Sequence, residues 1–221
     1  MDTRETDARG RLALLAEAPD TDAVRRIYDD WAPTYDLHDV AGLLGYPSPA
    51  RVAERVADLV PPRADVLDVA CGTGLVGAEL APRGFVSVDG LDLSPGMVRV
   101  ARRRRVYHDL GPADLRHGVP GASGKFGVVT CVGAFAPGHL GPPALTGFLR
   151  VLRTDGFVVA AIAEDTWAAG EFAAAVDRLV EGGFAEPVDG PGGSVGDGPG
   201  RLLVLRAREV PGPGRSVAWR S

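Results

Sequence analysis

Apolar residues along this chain follow two rhythms. Val24, Ile27, Tyr28 and Trp31 recur at i, i+3, i+4 and i+7, the buried stripe of an amphipathic helix that Pro33 stops. Ser48-Pro49 is an N-cap followed by proline at the first helical position. It opens a helix buried through Val52, Val56, Leu59 and Val60 and ended by Pro61-Pro62. Ser94-Pro95 repeats the device for a helix through Met97, Val100 and Ala101. Two more helical stripes run through Leu145, Phe148, Leu149 and Leu152, and through Phe172, Val176, Leu179 and Val180.

Between these helices lie short continuous apolar runs, the pattern of strands buried on both faces. They cover residues 65–70, about 85–91, 126–132 and 156–162, with a helix near 74–81 after the first. Val106-Tyr107-His108 reads as a short third strand, and 109–125 as a loop. Strand-like residues 184–188 and 201–208 close the pattern, joined by a Gly- and Pro-dominated stretch at 189–200 that reads as a flexible hairpin connection. Strand–helix alternation predicts an α/β, doubly wound parallel sheet with an antiparallel closing hairpin. Residues 1–47 are expected to form an N-terminal helical lid, 48–210 the main domain and 211–221 a tail.

With 221 residues, one compact domain with a sizeable core is expected. A net charge of −5 speaks against phosphate-driven nucleic-acid binding, which needs a basic footprint. Arg102-Arg103-Arg104-Arg105 is the local exception, and reads as a solvated helix end complementing the C-terminal dipole rather than a nucleic-acid patch. Cys71 and Cys131 sit in strand-like contexts and suit free thiols. Cys and His show no metal-ligand spacing. The N-terminus lacks a signal-peptide core and no run reaches membrane-spanning length, so a cytoplasmic, membrane-free chain, monomer or homodimer, is expected.

The chemistry concentrates around residues 66–77, Val-Leu-Asp-Val-Ala-Cys-Gly-Thr-Gly-Leu-Val-Gly. Gly72, Gly74 and Gly77 fit the G-x-G-x-x-G spacing, in which glycines allow a tight turn and let backbone N–H groups approach a ligand at a helix N-terminus. Asp68 lies inside the apolar strand. Asp92 ends the next strand, about 20 residues on, where a carboxylate can accept both hydroxyls of a ribose. Its bland alternative is a helix N-terminal charge beside Ser94.

These two motifs, Val-Leu-Asp-Val-Ala-Cys-Gly-Thr-Gly and Gly-Leu-Asp-Leu-Ser-Pro-Gly-Met, resemble those of the class I S-adenosylmethionine-dependent methyltransferases. With Tyr28-Asp29-Asp30-Trp31-Ala32-Pro33-Thr34-Tyr35-Asp36 and Val129-Thr130-Cys131-Val132-Gly133, the chain is similar to the methyltransferase-like family encoded in the Williams–Beuren region and its bacterial relatives. The resemblance implies a seven-stranded Rossmann-like sheet of order 3-2-1-4-5-7-6 and S-adenosyl-L-methionine as cofactor, with S-adenosyl-L-homocysteine as product. It places cofactor contacts on Asp68, Ala70, Cys71, Gly72, Gly74, Asp92, Leu93, Met97, Asp114, Leu115 and Cys131, with Tyr28 from the N-terminal aromatic segment. Asp68 would serve the amino-acid end, or else be tied to local backbone N–H groups. Asp114 would accept from the adenine amino group, or else be a solvated loop residue. Ala70 departs from the pattern, standing where many relatives carry Gly.

The implied reaction moves the sulfonium methyl group to an O or N nucleophile of a small-molecule acceptor, chiefly by positioning and desolvation. A base is required only for a hydroxyl or a protonated amine. His139 is the leading candidate, with Tyr35 and His38 beside it. Two other readings compete. One is an S-adenosylmethionine-binding module or non-methylating enzyme, regulatory or a cyclase. The other is an NAD-dependent oxidoreductase, which shares the glycines and Asp92 but needs neither Asp68 nor an acidic adenine clamp.

Overall fold

The computed structural model describes residues 3–135, 139–190 and 200–208. The expected tail at 211–221 and most of the 189–200 connection lie outside them. Helices α1 (Thr3–Ala16), α2 (Thr21–Trp31) and α3 (Val40–Leu44) precede α4 (Pro49–Leu59) and the sheet. The strands are β1 (Val66–Val69), β2 (Val88–Asp92), β3 (Asp109–Pro112), β4 (Phe126–Val132), β5 (Leu152–Ile162), β6 (Ala185–Pro187) and β7 (Arg201–Ala207). Between them run α5 (Leu75–Leu80), α6 (Pro95–Arg103), α7 (Ala144–Val151), α8 (Glu164–Ala168) and α9 (Glu171–Glu181).

The seven strands order as β3-β2-β1-β4-β5-β7-β6, as the resemblance implied. The pairs β1–β2, β2–β3, β1–β4 and β4–β5 are parallel, whereas β7 is antiparallel to both β5 and β6. From β1 the chain winds outward to β2 and β3, then returns to β4 on the other side. That reversal opens a crevice at the carboxyl ends of β1 and β4.

Each face of the sheet is covered. Leu67, Val129 and Val158 pack with Phe148, Leu149, Phe172 and Leu179 on one side, while Val66, Val128 and Val159 pack with Val52, Val56, Val76 and Leu80 on the other. A third cluster around Trp31, fully buried, joins Leu15, Val24 and Val40 within the N-terminal helices. Residues 3–16 form a helix of the expected lid, and its inner face packs into this cluster through Ala8 and Leu15.

Four elements depart from the pattern-based reading. The third strand is Asp109–Pro112, not 106–108, because Tyr107 points inward as a packing residue before the chain reaches β2's edge. Leu152 starts β5 rather than ending α7: it pairs with Phe126 across a register shift that accommodates Asp155 at φ +62°. The five-residue helices α3 and α8 are too short to show a helical period.

Candidate active site

A crevice opens at this switch point, lined by the turn after β1, the end of β2 and the end of β4. Its floor is the turn after β1. Ala70 (φ +54°), Gly72 (φ +54°) and Gly74 (φ +87°) alternate in the left-handed region, so the turn reverses tightly, with the N–H groups of Cys71, Gly72 and Gly74 donating to the Leu91 carbonyl, Asp92 and the Cys71 carbonyl. For Ala70 this conformation is strained.

Asp92 closes β2 beside this turn. One of its oxygens accepts the N–H of Gly72 at 2.8 Å and the other accepts the N–H of Ser94 at 2.8 Å. Burial raises its carboxyl to about 6; the two N–H donors pull it down and the nearby Asp29 charge pushes it up. Each oxygen keeps a further lone pair, and Asp92 lines the crevice. Two facing hydroxyls could be held there.

Asp68 lies at the middle of β1, beneath the turn. It is 1% exposed and is not among the residues lining the crevice. Its oxygens accept the Tyr107 hydroxyl at 2.6 Å and the Thr130 hydroxyl at 2.8 Å. A buried carboxylate needs such partners, and here two side-chain hydroxyls supply them. Gly74, Cys71 and Cys131 also lie outside the lining. Gly74 packs under the Tyr107 ring, Cys71 Sγ points at the Gly72 carbonyl, and Cys131 is fully buried. Burial raises both thiols, so neither is a ready nucleophile.

Ala70, Gly72, Leu93, Met97, Asp114 and Leu115 do line the crevice together with Asp92. Asp114 is gripped by Arg116, whose Nε and Nη2 donate at 3.1 and 2.8 Å, and this pairing lowers its carboxyl. Leu115 is buried behind it.

The opposite wall comes from the end of β4 and the N-terminal helices. Val132, Gly133 and His139 face Tyr28 and Tyr35 across the cleft. The Tyr28 hydroxyl lies 2.9 Å from His139 Nε2, and the rings meet edge to face. Burial raises both phenols, Tyr28 and Tyr35, so both stay protonated. His38 is elsewhere: its Nδ1 accepts from Trp31 Nε1 at 3.2 Å and its other nitrogen lies 3.5 Å from Asp7. It is not part of the lining.

Polar residues of the N-terminal segment fasten it to the crevice rim. Asp29 accepts from the Ser94 hydroxyl and the Gly96 N–H, both at 2.6 Å. A Cβ on Gly96 would come within 2.8 Å of the Asp29 backbone, which is why glycine stands there. Asp36 accepts from the Thr73 hydroxyl and from Arg104 Nη2 at 2.6 Å, while Arg104 Nε donates to the Thr73 carbonyl at 2.7 Å. Arg104 is therefore a brace on the glycine turn, not one more solvated charge of the arginine run. Sequence reasoning missed Asp29, Asp36 and Arg104, whose partners lie dozens of residues away. It also missed Thr21 and Val24 as lining residues, because Val24 reads as ordinary core on its helical stripe.

The chain is similar to known proteins. A family model described as a methyltransferase domain matches residues 66–156. Human methyltransferase-like protein 27 is 37% identical over 156 residues, 69% of this chain and 62% of its own. A Streptomyces fradiae dTDP-3-amino-3,6-dideoxy-alpha-D-glucopyranose N,N-dimethyltransferase is 37% identical over 134 residues, 58% of this chain and 51% of its own. The chain thus spans between half and about three fifths of the length of these relatives. A TehB-like SAM-dependent methyltransferase from Corynebacterium glutamicum shares the fold, with a TM-score of 0.56 at 20% identity over 86% of this chain and 98% of that one. With its sheet order, its glycine turn and the matched segment in one frame, the chain resembles the class I S-adenosylmethionine-dependent methyltransferases.

Proposed function

We propose that the crevice binds S-adenosylmethionine and that the chain transfers its methyl group to an O or N nucleophile of a small-molecule acceptor. The observation that carries this reading is Asp92. Its carboxylate is buried beside the glycine turn, preset by two backbone N–H groups, with lone pairs left over at the crevice. A ribose is a fitting occupant for such an acceptor pair. Asp114 and Leu115 would flank the adenine, and Ala70 and Gly72 present the backbone to the amino-acid end.

The bound sulfonium supplies an already activated methyl group, so the chain's own residues orient and enclose. Tyr28, Tyr35 and Met97 exclude water, which strengthens electrostatic interactions inside. Tyr28 and His139 act as one proton-accepting unit on the acceptor side. A proton arriving at the phenol oxygen is matched by the phenol proton moving to His139 Nε2, so no free phenolate is formed.

Calorimetry with S-adenosylmethionine and, in parallel, NADH tests the binding; heat from the first alone is expected, and the reverse retires the reading. Tritium passing from labelled methyl donor into a small-molecule pool of a cell extract tests the transfer. Label recovered only in RNA would redirect the acceptor, and tight binding without transfer would favour a non-methylating role.

A further inference from the structure

Tyr107, between α6 and β3, occupies a slot made of missing side chains. A Cβ on Gly77 would come within 2.5 Å of the Tyr107 ring; on Gly74 it would come within 2.9 Å, and on Gly90 within 3.0 Å. The third glycine of the turn motif is therefore required by this one ring. At the bottom of the slot the hydroxyl does two things. It accepts the Gly77 N–H at 3.2 Å, one of the first-turn donors of α5 that has no partner within the helix, and it donates to Asp68 at 2.6 Å. Asp68 is held on its other oxygen by Thr130 of β4. One phenol thus ties the glycine turn, the start of α5 and the carboxylate of β1 to a single point beneath the crevice.

We infer that Tyr107 is a positioning residue of the ligand crevice, setting the height of the glycine turn and keeping Asp68 below its floor as a fixed negative charge. The inference rests on the S-adenosylmethionine reading above. Asp68 does not touch the ligand in this account; it acts through the turn and through its field. The groups facing Asp68 are Tyr107, Thr130, Asp92, Cys71 and Cys131. Among them only the two hydroxyls donate to it; Asp92 opposes its charge. Burial raises the Asp68 carboxyl to about 6, and the Tyr107 hydroxyl holds it from rising further.

The experiment is calorimetric titration of the full chain with S-adenosylmethionine across a pH series, wild type against Tyr107→Phe. The variant keeps the ring in its slot and removes only the hydroxyl. Affinity is expected to fall about tenfold at pH near 8, because the Gly77 N–H loses its buried partner. The acid limb of binding is expected to move to higher pH, because Asp68 loses a donor that favours its charged form. A purely structural effect would weaken binding without moving that limb. Gly77→Ala, whose Cβ must displace the ring, is expected to weaken binding in the same direction, and it carries the test if Tyr107→Phe does not fold. Wild-type affinity and an unmoved limb in Tyr107→Phe overturn the inference. A wild type that takes up no S-adenosylmethionine at any pH overturns the functional reading and this inference together, a different pattern from the first.

Discussion

Replacing Asp92 with Asn separates what this carboxylate does for the fold from what it does for a ligand. In the free protein the charge is a burden: its carboxyl sits at about 6 instead of 3.8. At about 1.4 kcal/mol per pH unit, relieving that charge is worth roughly 3 kcal/mol at neutral pH. Against it stands geometry. Both oxygens accept backbone N–H groups, and an amide offers only one oxygen, so the N–H of Gly72 or Ser94 loses its acceptor. That costs about 1–3 kcal/mol. The unliganded variant should therefore be as stable as wild type, or more stable by about 1–2 kcal/mol. Binding should suffer instead, since each hydrogen bond to the charged group is worth about 1.5–3 kcal/mol; a loss of at least about tenfold in affinity is expected. The pH dependence has a definite sign. A carboxyl raised in the folded state contributes stability that is fully present below the unfolded value near 3.8 and is lost as pH rises through about 6. Asp68 contributes in the same direction over the same window. Denaturant unfolding from pH 4 to 8 should show stability falling in wild type and falling less in Asp92→Asn. An Asn variant clearly less stable than wild type at pH 8, or one binding S-adenosylmethionine with undiminished affinity, would refute the reasoning.

Three further outcomes can be measured directly. Ala70→Gly should raise thermal stability by about 0.5–1 kcal/mol, because the left-handed strain removed exceeds the chain entropy gained by the unfolded state; a lowered melting temperature would contradict it. Asp29→Ala leaves the Ser94 hydroxyl and the Gly96 N–H without their acceptor, and should destabilise by about 1–3 kcal/mol in urea unfolding. An unchanged midpoint would show that water replaces the carboxylate. His139→Ala should lower kcat by about 10²-fold and flatten the pH–rate profile, provided the acceptor is a hydroxyl or a protonated amine. Matching profiles would remove His139 and its Tyr28 partner from proton transfer.

The parts of this fold that were legible from the chain are those that repeat or break a period. Ser48-Pro49 and Ser94-Pro95 announce their helices because a cap and a proline act within one turn. The order of the strands followed from motif resemblance, whereas the alternation of apolar runs pointed only to a parallel, doubly wound sheet. The third strand was misplaced because Asp109–Pro112 is an edge strand of Asp, Leu, Gly and Pro, whose pairing is set by β2 rather than by its own composition. Val106 and Tyr107 looked like that strand since both are apolar, although Tyr107 serves as a wedge. In the site, Asp92 was readable from its spacing to the glycines. The surroundings of Asp68 were not, because its partners, at positions 107 and 130, meet it only once the sheet has formed. The same holds for Asp29 and Asp36, ordinary charges on paper whose acceptor roles exist only in three dimensions.

Those two carboxylates carry a consequence for how the molecule is divided. The helix that begins at Pro95 and the loop at Thr73 each draw one anion from outside the sheet. A protein cut before Pro49 would expose the Gly96 amide and strip Arg104 of its counter-charge beside the glycine turn. The opening forty residues and the sheet are accordingly halves of one receptacle, and what loosens the first unsettles the second.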